Sequence, residues 1–378
     1  MTRLAPLILL ASVLLSACGA KEDVVEPSPL PDFEREVRVS FDWRAAAGDG
    51  AESTGLRLQP AVTAQAVYTV DQSGLLQARS RVDGKRLWSQ KTTLPFSAGP
   101  VAGYGQVIAG TREGELVSYS ADDGKLLWKV QLGGEVLAPP ALDADAVVVK
   151  ATDGHLSMVE RSSGRVLWVH DGGVPVLTVR MASQPLLVAD AVLAGLPSGV
   201  LVAIDRVKGQ VIWERRIAEP DGKSELDRLV DIAGDFLIHD DRLYVATYQG
   251  KVVAMDLRSG QFIWQQPFST LQRLTVSDAA LFGVDADGRI LAWRLADGIP
   301  LWKQERLTGR GLTGPALSGK HLLVADADGY LHVLRQSDGV IVGRARVDRA
   351  GVAVAPVVDD GRVFVLGRGG RLASISLE

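Results

Sequence analysis

The chain has 378 residues, is 47% hydrophobic, and carries a formal net charge of −4. That is enough apolar material for one large core, and charge spread along the chain without a basic block argues against nucleic-acid binding. With Cys18 as the only cysteine, an internal disulfide is excluded.

At the start of the chain, Arg3 precedes an apolar run from Leu4 to Leu15, too short to span a bilayer and shaped like a signal-peptide core. It ends in Leu15-Ser16-Ala17-Cys18-Gly19, which resembles a bacterial lipobox. The resemblance implies cleavage of residues 1–17 and acylation of Cys18, and two or more acyl chains anchor stably. Gly19, rather than Asp, after the cysteine implies sorting to the outer membrane. Residues 18–35, with Pro27, Pro29 and Pro31 among acidic side chains, read as the lipidated N-terminus and an extended tether.

Residues 36–378 read as strands throughout. Val37-Arg38-Val39-Ser40-Phe41-Asp42-Trp43 is a strand ending in tryptophan with no repeat of its own. Beyond it, Trp88, Trp128, Trp168, Trp213, Trp264 and Trp302 each stand fourteen residues after a glycine, from Gly74 to Gly288. Gly329 and Gly370 share the same local context; the first leads to Gly343 instead of tryptophan, and the chain ends before the second is matched. A period of about forty residues marks one supersecondary unit used repeatedly. In Pro100–Trp128 the unit shows short apolar runs at 106–110, 116–119 and 126–128, bounded by Glu113-Gly114 and Asp123-Gly124. Such pairs are hairpin signals because the turn needs positive φ. The expected fold is all-β: an eight-bladed β-propeller of four-stranded antiparallel blades. Its eighth repeat lacks an outer strand, so residues 37–43 are expected to supply it, with Trp43 as the missing tryptophan and the open edge removed. Trp293 lies off the ruler, and its truncation is expected to be milder.

Little in this chain resembles a catalytic site. His155, His170, His239, His321 and His332 show no metal-ligand spacing. Asp285-Ala-Asp287-Gly288 and Asp326-Ala-Asp328-Gly329 imitate part of a calcium loop, but Arg294 and Arg335 stand where its bidentate glutamate belongs. Gly314-Pro-Ala-Leu-Ser-Gly319-Lys320 nearly matches a phosphate loop, yet His321 replaces the hydroxyl residue; Gly222-Lys223-Ser224 holds only the other half. Neither precedes a helical pattern. No cofactor or metal is expected.

The repeat resembles the blade motif of pyrroloquinoline-quinone dehydrogenases, in which the tryptophans staple neighbouring blades. That implies a structural role for Trp43, Trp88, Trp128, Trp168, Trp213, Trp264 and Trp302. It also opens an alternative reading as a periplasmic quinoprotein oxidoreductase, although the adjacent cysteines and calcium constellation of those enzymes are absent. A propeller lipoprotein binding some other envelope partner is a further alternative. Fold alone does not decide between them.

Spacing singles out two connections. From Trp88 to Gly343 the intervals along the ruler are 40, 40, 45, 51, 38 and 41, so the excess lies in 169–185 and 214–236. Both run from an outer strand to the next inner strand and therefore share one face. They contain Val174-Pro175-Val176-Leu177-Thr178-Val179-Arg180 and Glu225-Leu226-Asp227-Arg228-Leu229-Val230-Asp231. Apolar side chains beside Arg and Asp on long loops of a rigid ring suit partner binding. Together with the lipobox and the tryptophan repeats, these loops resemble the BamB family, lipoprotein subunits of the outer-membrane β-barrel assembly machinery. The resemblance implies a non-enzymatic scaffold whose loops contact the periplasmic domains of the barrel subunit BamA, and which offers strand edges or a ring face to unfolded outer-membrane proteins. Carried over, the contact residues are Leu177, Val179, Arg180 and Asp231. The second aspartate usual in that family is Ala233 here, which shifts weight to Asp227 or Arg228.

Overall fold

The computed structural model describes residues 25–51, 56–173, 183–197, 199–219, 223–224 and 229–378. Thirty-two strands, β1 to β32 in chain order, are found among them, arranged as eight four-stranded antiparallel sheets. The sheets form the eight blades of a propeller, each running from an inner strand a through b and c to an outer strand d. Strands b and c are almost wholly buried because neighbouring blades cover both of their faces, which is why they read as continuous apolar runs such as Ala146–Lys150.

Each c–d ladder of the first seven blades slips by one residue beside the ruler position. The slip falls between Ala78 and Arg79 next to Trp88, between Ser118 and Tyr119 next to Trp128, and between Val333 and Leu334 next to Gly343. A bulge adds twist and re-aims a side chain. Here it turns the indole out of its own sheet and onto the c–d turn of the next blade. A Cβ added at Gly84, Gly124 or Gly298 would lie 2.6, 2.6 or 2.5 Å from Trp43, Trp88 or Trp264. These glycines also hold φ of 70°, 70° and 71°, which other residues rarely adopt. The indole N–H then donates to a carbonyl of the same turn: Trp88 to Ala121 (2.8 Å), Trp128 to Arg161 (2.7 Å), Trp168 to Arg206 (2.8 Å), Trp264 to Leu295 (2.8 Å) and Trp302 to Gln336 (2.8 Å).

Trp213 departs from this pattern. It stands 3.5 Å from the Cβ position of Gly260, and it is Arg215 Nε that donates to Gly260 O, at 3.2 Å. Among the described residues its indole N–H makes no bond of the kind formed at the other junctions. Trp293 also corrects an expectation. It is only 1% exposed and meets Phe268 edge-on at 4.8 Å, so leaving the ruler placed it in the core rather than at the periphery.

Closure follows from β1 (Val39–Ala46), which pairs antiparallel with β32 (Arg371–Leu377) from Val39 opposite Leu377 to Ala46 opposite Arg371, with the same one-residue slip falling between Phe41 and Trp43. Trp43 then reaches across to the first blade and donates to Arg81 O at 3.1 Å. Strands c and d of the last blade come from opposite ends of the sequence, so no c–d turn exists there to receive an indole from the seventh blade. Gly343 stands at that position, and Val37 takes the space: a Cβ at 343 would meet Val37 O at 2.9 Å. Val37 N also donates to Val342 O at 3.0 Å.

The segment read as a tether is seated on the ring from Val25 onward. Ser28 N donates to Thr308 O (2.9 Å), Arg344 Nη1 donates to Pro31 O (3.1 Å), and Arg344 covers the ring of Phe33. Arg310 anchors the segment from below, with Nη1 donating to Ser28 O (3.0 Å), Nε to Asp326 (2.8 Å) and Nη2 to Asp328 (2.6 Å). Buried His332 completes this cluster through Nε2, 2.9 Å from Asp326 Oδ2. The Asp-x-Asp-Gly carboxylates are thus engaged by arginine and turn amides; Asp285 likewise accepts from Asp287 N (3.0 Å) and Arg289 N (2.8 Å). The sequence around Gly314 forms strand β26 (Ala316–Ser318) and a hairpin turn, a geometry without the helix a phosphate loop requires.

Substituting the tryptophans by alanine should rank the junctions. Trp128→Ala and Trp293→Ala are expected to cost about 3–5 kcal/mol each in urea unfolding, and Trp213→Ala clearly less. Equal losses at Trp128 and Trp213 would show that the looser packing at Gly260 carries no energetic meaning. Gly343→Trp should lower the melting temperature by displacing Val37, rather than add an eighth staple; a raised melting temperature would contradict the account of the last junction.

Candidate partner-binding face

Antiparallel order puts the b–c turns and the d-to-a connections on one face of the ring, and the a–b and c–d turns on the other. Both long connections therefore emerge side by side on the first face, between blades three and four and between blades four and five. Leu177, Val179 and Arg180 lie outside the described residues, as do Asp227 and Arg228. The roots of both loops are described, and they are locked into the ring.

Asp231 lies in one of these roots. Its backbone bridges Pro197 of the fourth blade and Tyr248 of the fifth, with Tyr248 N donating to Asp231 O at 2.9 Å. Val230 and Ile232 on either side are buried, because Gly199 and Gly195 leave space for them: Cβ atoms there would meet Val230 and Ile232 at 2.7 Å. Asp231 was expected on the contact surface but is only 4% exposed, since both neighbours draw the backbone into the core.

Beneath the loops lies a charged centre that the sequence reading missed. Lys150, at the end of the second strand of blade three, is 7% exposed and donates through Nζ to Gly195 O of the next blade. Burial holds its pKa below the ordinary lysine value, while the charges of Asp231 and Asp235 act in the opposite direction. Asp235 Oδ1 in turn accepts from Gln184 N at 2.8 Å, and Gln184 Nε2 donates to Pro140 O at 2.8 Å. Gln184 follows the first long loop and Asp235 follows the second, so this one bond couples their roots. The available signal was a lysine closing the apolar run Ala146-Val147-Val148-Val149, where a fully buried strand should carry no charge.

The N-terminal segment shares this face. Thr308, which receives Ser28, belongs to a d-to-a connection, so the described segment around Ser28 is seated on the same face as the two loop roots. The assembly is a stapled propeller whose two long connections have their described roots locked into one face of the ring.

Comparison with known proteins agrees. A family model described as outer membrane protein assembly factor BamB matches residues 72–304 and 296–378. The chain is 41% identical to outer membrane protein assembly factor BamB of Pseudomonas aeruginosa, across 99% of this chain and 98% of that protein. It is 46% identical to that of Marinobacter adhaerens (95% and 92% covered) and 32% identical to that of Escherichia coli (97% and 97%). The crystal structure of BamB from Moraxella catarrhalis superposes with a TM-score of 0.83 at 27% identity, covering 90% of this chain and all of that one. Quinohemoprotein alcohol dehydrogenase from Comamonas testosteroni shares the fold at a TM-score of 0.73 and 13% identity, over 89% of this chain and 76% of that one. The chain belongs to the BamB family of outer membrane protein assembly factors.

Removing Lys150 should expose how much the loop roots depend on it. Lys150→Met is expected to destabilise by about 3–5 kcal/mol, because two carboxylates then lose their buried countercharge. Adding Asp231→Asn should restore part of that loss, as coupled neighbours do. Strict additivity in urea unfolding would mean that the two side chains do not interact.

Proposed function

We propose that this protein acts as a non-catalytic scaffold lipoprotein of outer-membrane β-barrel assembly, binding the periplasmic domains of BamA through the two long loops. The observation that carries the reading is likeness to BamB proteins along the whole chain, at up to 46% identity among the relatives above. The geometry gives it a mechanism. A ring that does not deform is suited to holding a flexible multidomain partner in one orientation, and loops rooted through Gln184 and Asp235 cannot drift apart.

In this reading Leu177 and Val179 supply apolar contact, and Arg180 makes a charge-assisted hydrogen bond to BamA or orders the root at Asp231. Asp227 and Arg228 contribute the second loop's charges. Asp231, buried at the root, works by positioning rather than by direct contact. Interface energy concentrates in a few such anchors, with arginine often among them. Acylated Cys18 would anchor the chain on the periplasmic side of the outer membrane after removal of residues 1–17. Six residues lie between Cys18 and Val25, so the seven peptide steps reach at most roughly 25 Å when fully extended. The loop face would then stay close to the membrane, where unfolded outer-membrane proteins arrive and BamA inserts them. The dehydrogenase likeness stops at the fold, and the carboxylates that imitate a calcium loop are held by arginines and turn amides.

Arg180→Ala should abolish co-purification with BamA from detergent-solubilised membranes while the melting temperature stays unchanged. A desolvated charged partner is typically worth about 2–5 kcal/mol, enough to take a micromolar complex below detection. Asp122→Ala with Asp297→Ala, in c–d turns on the opposite face, should leave the complex intact. Normal binding by Arg180→Ala together with loss in the opposite-face pair would place the interface on the wrong side of the ring.

A further inference from the structure

The central channel opens on the loop face into a funnel of about 770 Å³, counted out to bulk solvent. Its rim is built from connections of six different blades, and Arg57, ahead of the first inner strand, spans it. The guanidinium reaches the opposite side of the ring, where Nη1 donates to Leu271 O at 2.9 Å and lies 3.4 Å from Gln272 Oε1. Gln272 Oε1 is itself fixed by Gly314 N at 3.0 Å. These acceptors are neutral. Among the described residues, no carboxylate oxygen stands within 4 Å of Arg57, of Arg273 on the same rim, or of Arg368 in the last blade's b–c turn. Among the described residues, the one acidic side chain lining the funnel is Asp235, which already accepts from Gln184 N.

Burial, only partly countered by Asp235 and reinforced by the like charge of Arg368, disfavours the charged form of Arg57. Arginine nevertheless keeps its charge in proteins. A desolvated cation with neutral acceptors on one edge is a site for an anion on the other, since a charge-assisted, bidentate pair is the strongest bond a guanidinium makes. Part of the remaining wall is apolar, where Leu56, Leu137, Pro139 and Val354 line it beside the polar Gln59, Ser97 and Gln272. It suits a carboxylate that arrives with hydrophobic neighbours, not a free hydrated ion.

We propose that the channel mouth is a binding site for a carboxylate carried by an extended polypeptide, with Arg57 as its principal ligand and Arg368 and Arg273 supporting it. The carboxylate is either the C-terminus of that polypeptide or an acidic side chain within it. The adjoining apolar residues pack on Leu137 and Val354. The site is separate from the long loops and does not depend on the BamA reading: it uses the funnel, not Arg180, and each stands or fails alone.

Titration calorimetry of the full chain in detergent tests this with three acetylated hexapeptides of Ala, Leu and Val. One has a free C-terminus, one is amidated, and one is amidated with a central Asp. Binding by the free acid but not by the plain amide is expected, and the Asp peptide reveals whether a side chain serves as well. Arg57→Gln should weaken binding at least about tenfold, the loss of a charge-assisted pair, with Arg57→Lys intermediate. Should Arg57→Gln fail to fold, Arg368→Gln decides, because it removes the like charge that acts on Arg57 from the adjoining cavity without breaking the bond to Leu271; it should weaken binding severalfold. Equal binding of acid and amide, no binding at millimolar peptide, or binding indifferent to whichever of these arginine variants folds would each overturn the assignment.

Discussion

An indole lying on a glycine of the neighbouring blade is the contact on which the rest of this molecule depends. Four-stranded sheets of this size bury too little by themselves. The bulge in the c–d ladder answers this at the blade junctions: it turns the tryptophan outward, and the next blade's turn supplies a residue with no Cβ and a waiting carbonyl. Aromatic burial and one hydrogen bond thus join blade to blade from Trp43 onward, and the closed ring leaves its loops free to vary in length.

The exceptions fall where they have consequences. Trp213 stands off from Gly260 at the junction between blades four and five, and from that junction the longest connection departs. Under the same region sit Lys150, Asp231 and Asp235, ionisable groups in a place where apolar side chains would pack more favourably. A junction with a weaker staple and a charged centre is stiff only if its polar bonds are all made. Gln184 to Asp235, and Tyr248 to Asp231, are among those bonds. The loop roots are therefore held by directional contacts, which fix orientation, rather than by bulk packing, which fixes mainly distance. The other exception is Gly343, where the absence of a receiving turn gives the N-terminal segment its seat.

That segment ties the described N-terminal residues to the face that carries the loop roots. It runs along the outer strand of blade seven and reaches Thr308, on the face that carries the loop roots and the channel mouth. A spacer free from residue 35 backward would allow the ring to face any direction. A segment seated from Val25 restricts it, and Arg310, held between Asp326 and Ser28 O, is what makes the seat firm.

By itself the sequence determined the ring. The count of eight blades, the four strands in each, the closure through Trp43 and the face on which the long connections emerge all follow from period, turn chemistry and strand alternation. These are local signals that recur and so reinforce one another. Family membership was legible for the same reason, since Leu177, Arg180, Asp227 and Asp231 form short contiguous patterns. Only the tertiary structure decided what depends on residues distant in sequence but close in space. Trp293 broke the ruler and so promised a milder loss on truncation, yet it lies in the core edge-on to Phe268. Asp231 was a contact residue by family resemblance, and is buried because Gly195 and Gly199 leave room for its neighbours Ile232 and Val230. Arg57 carried no motif at all; its partner stands 214 residues away on the far side of the channel. A repeat fixes what each blade does to the next, but not what eight blades do together at their common axis.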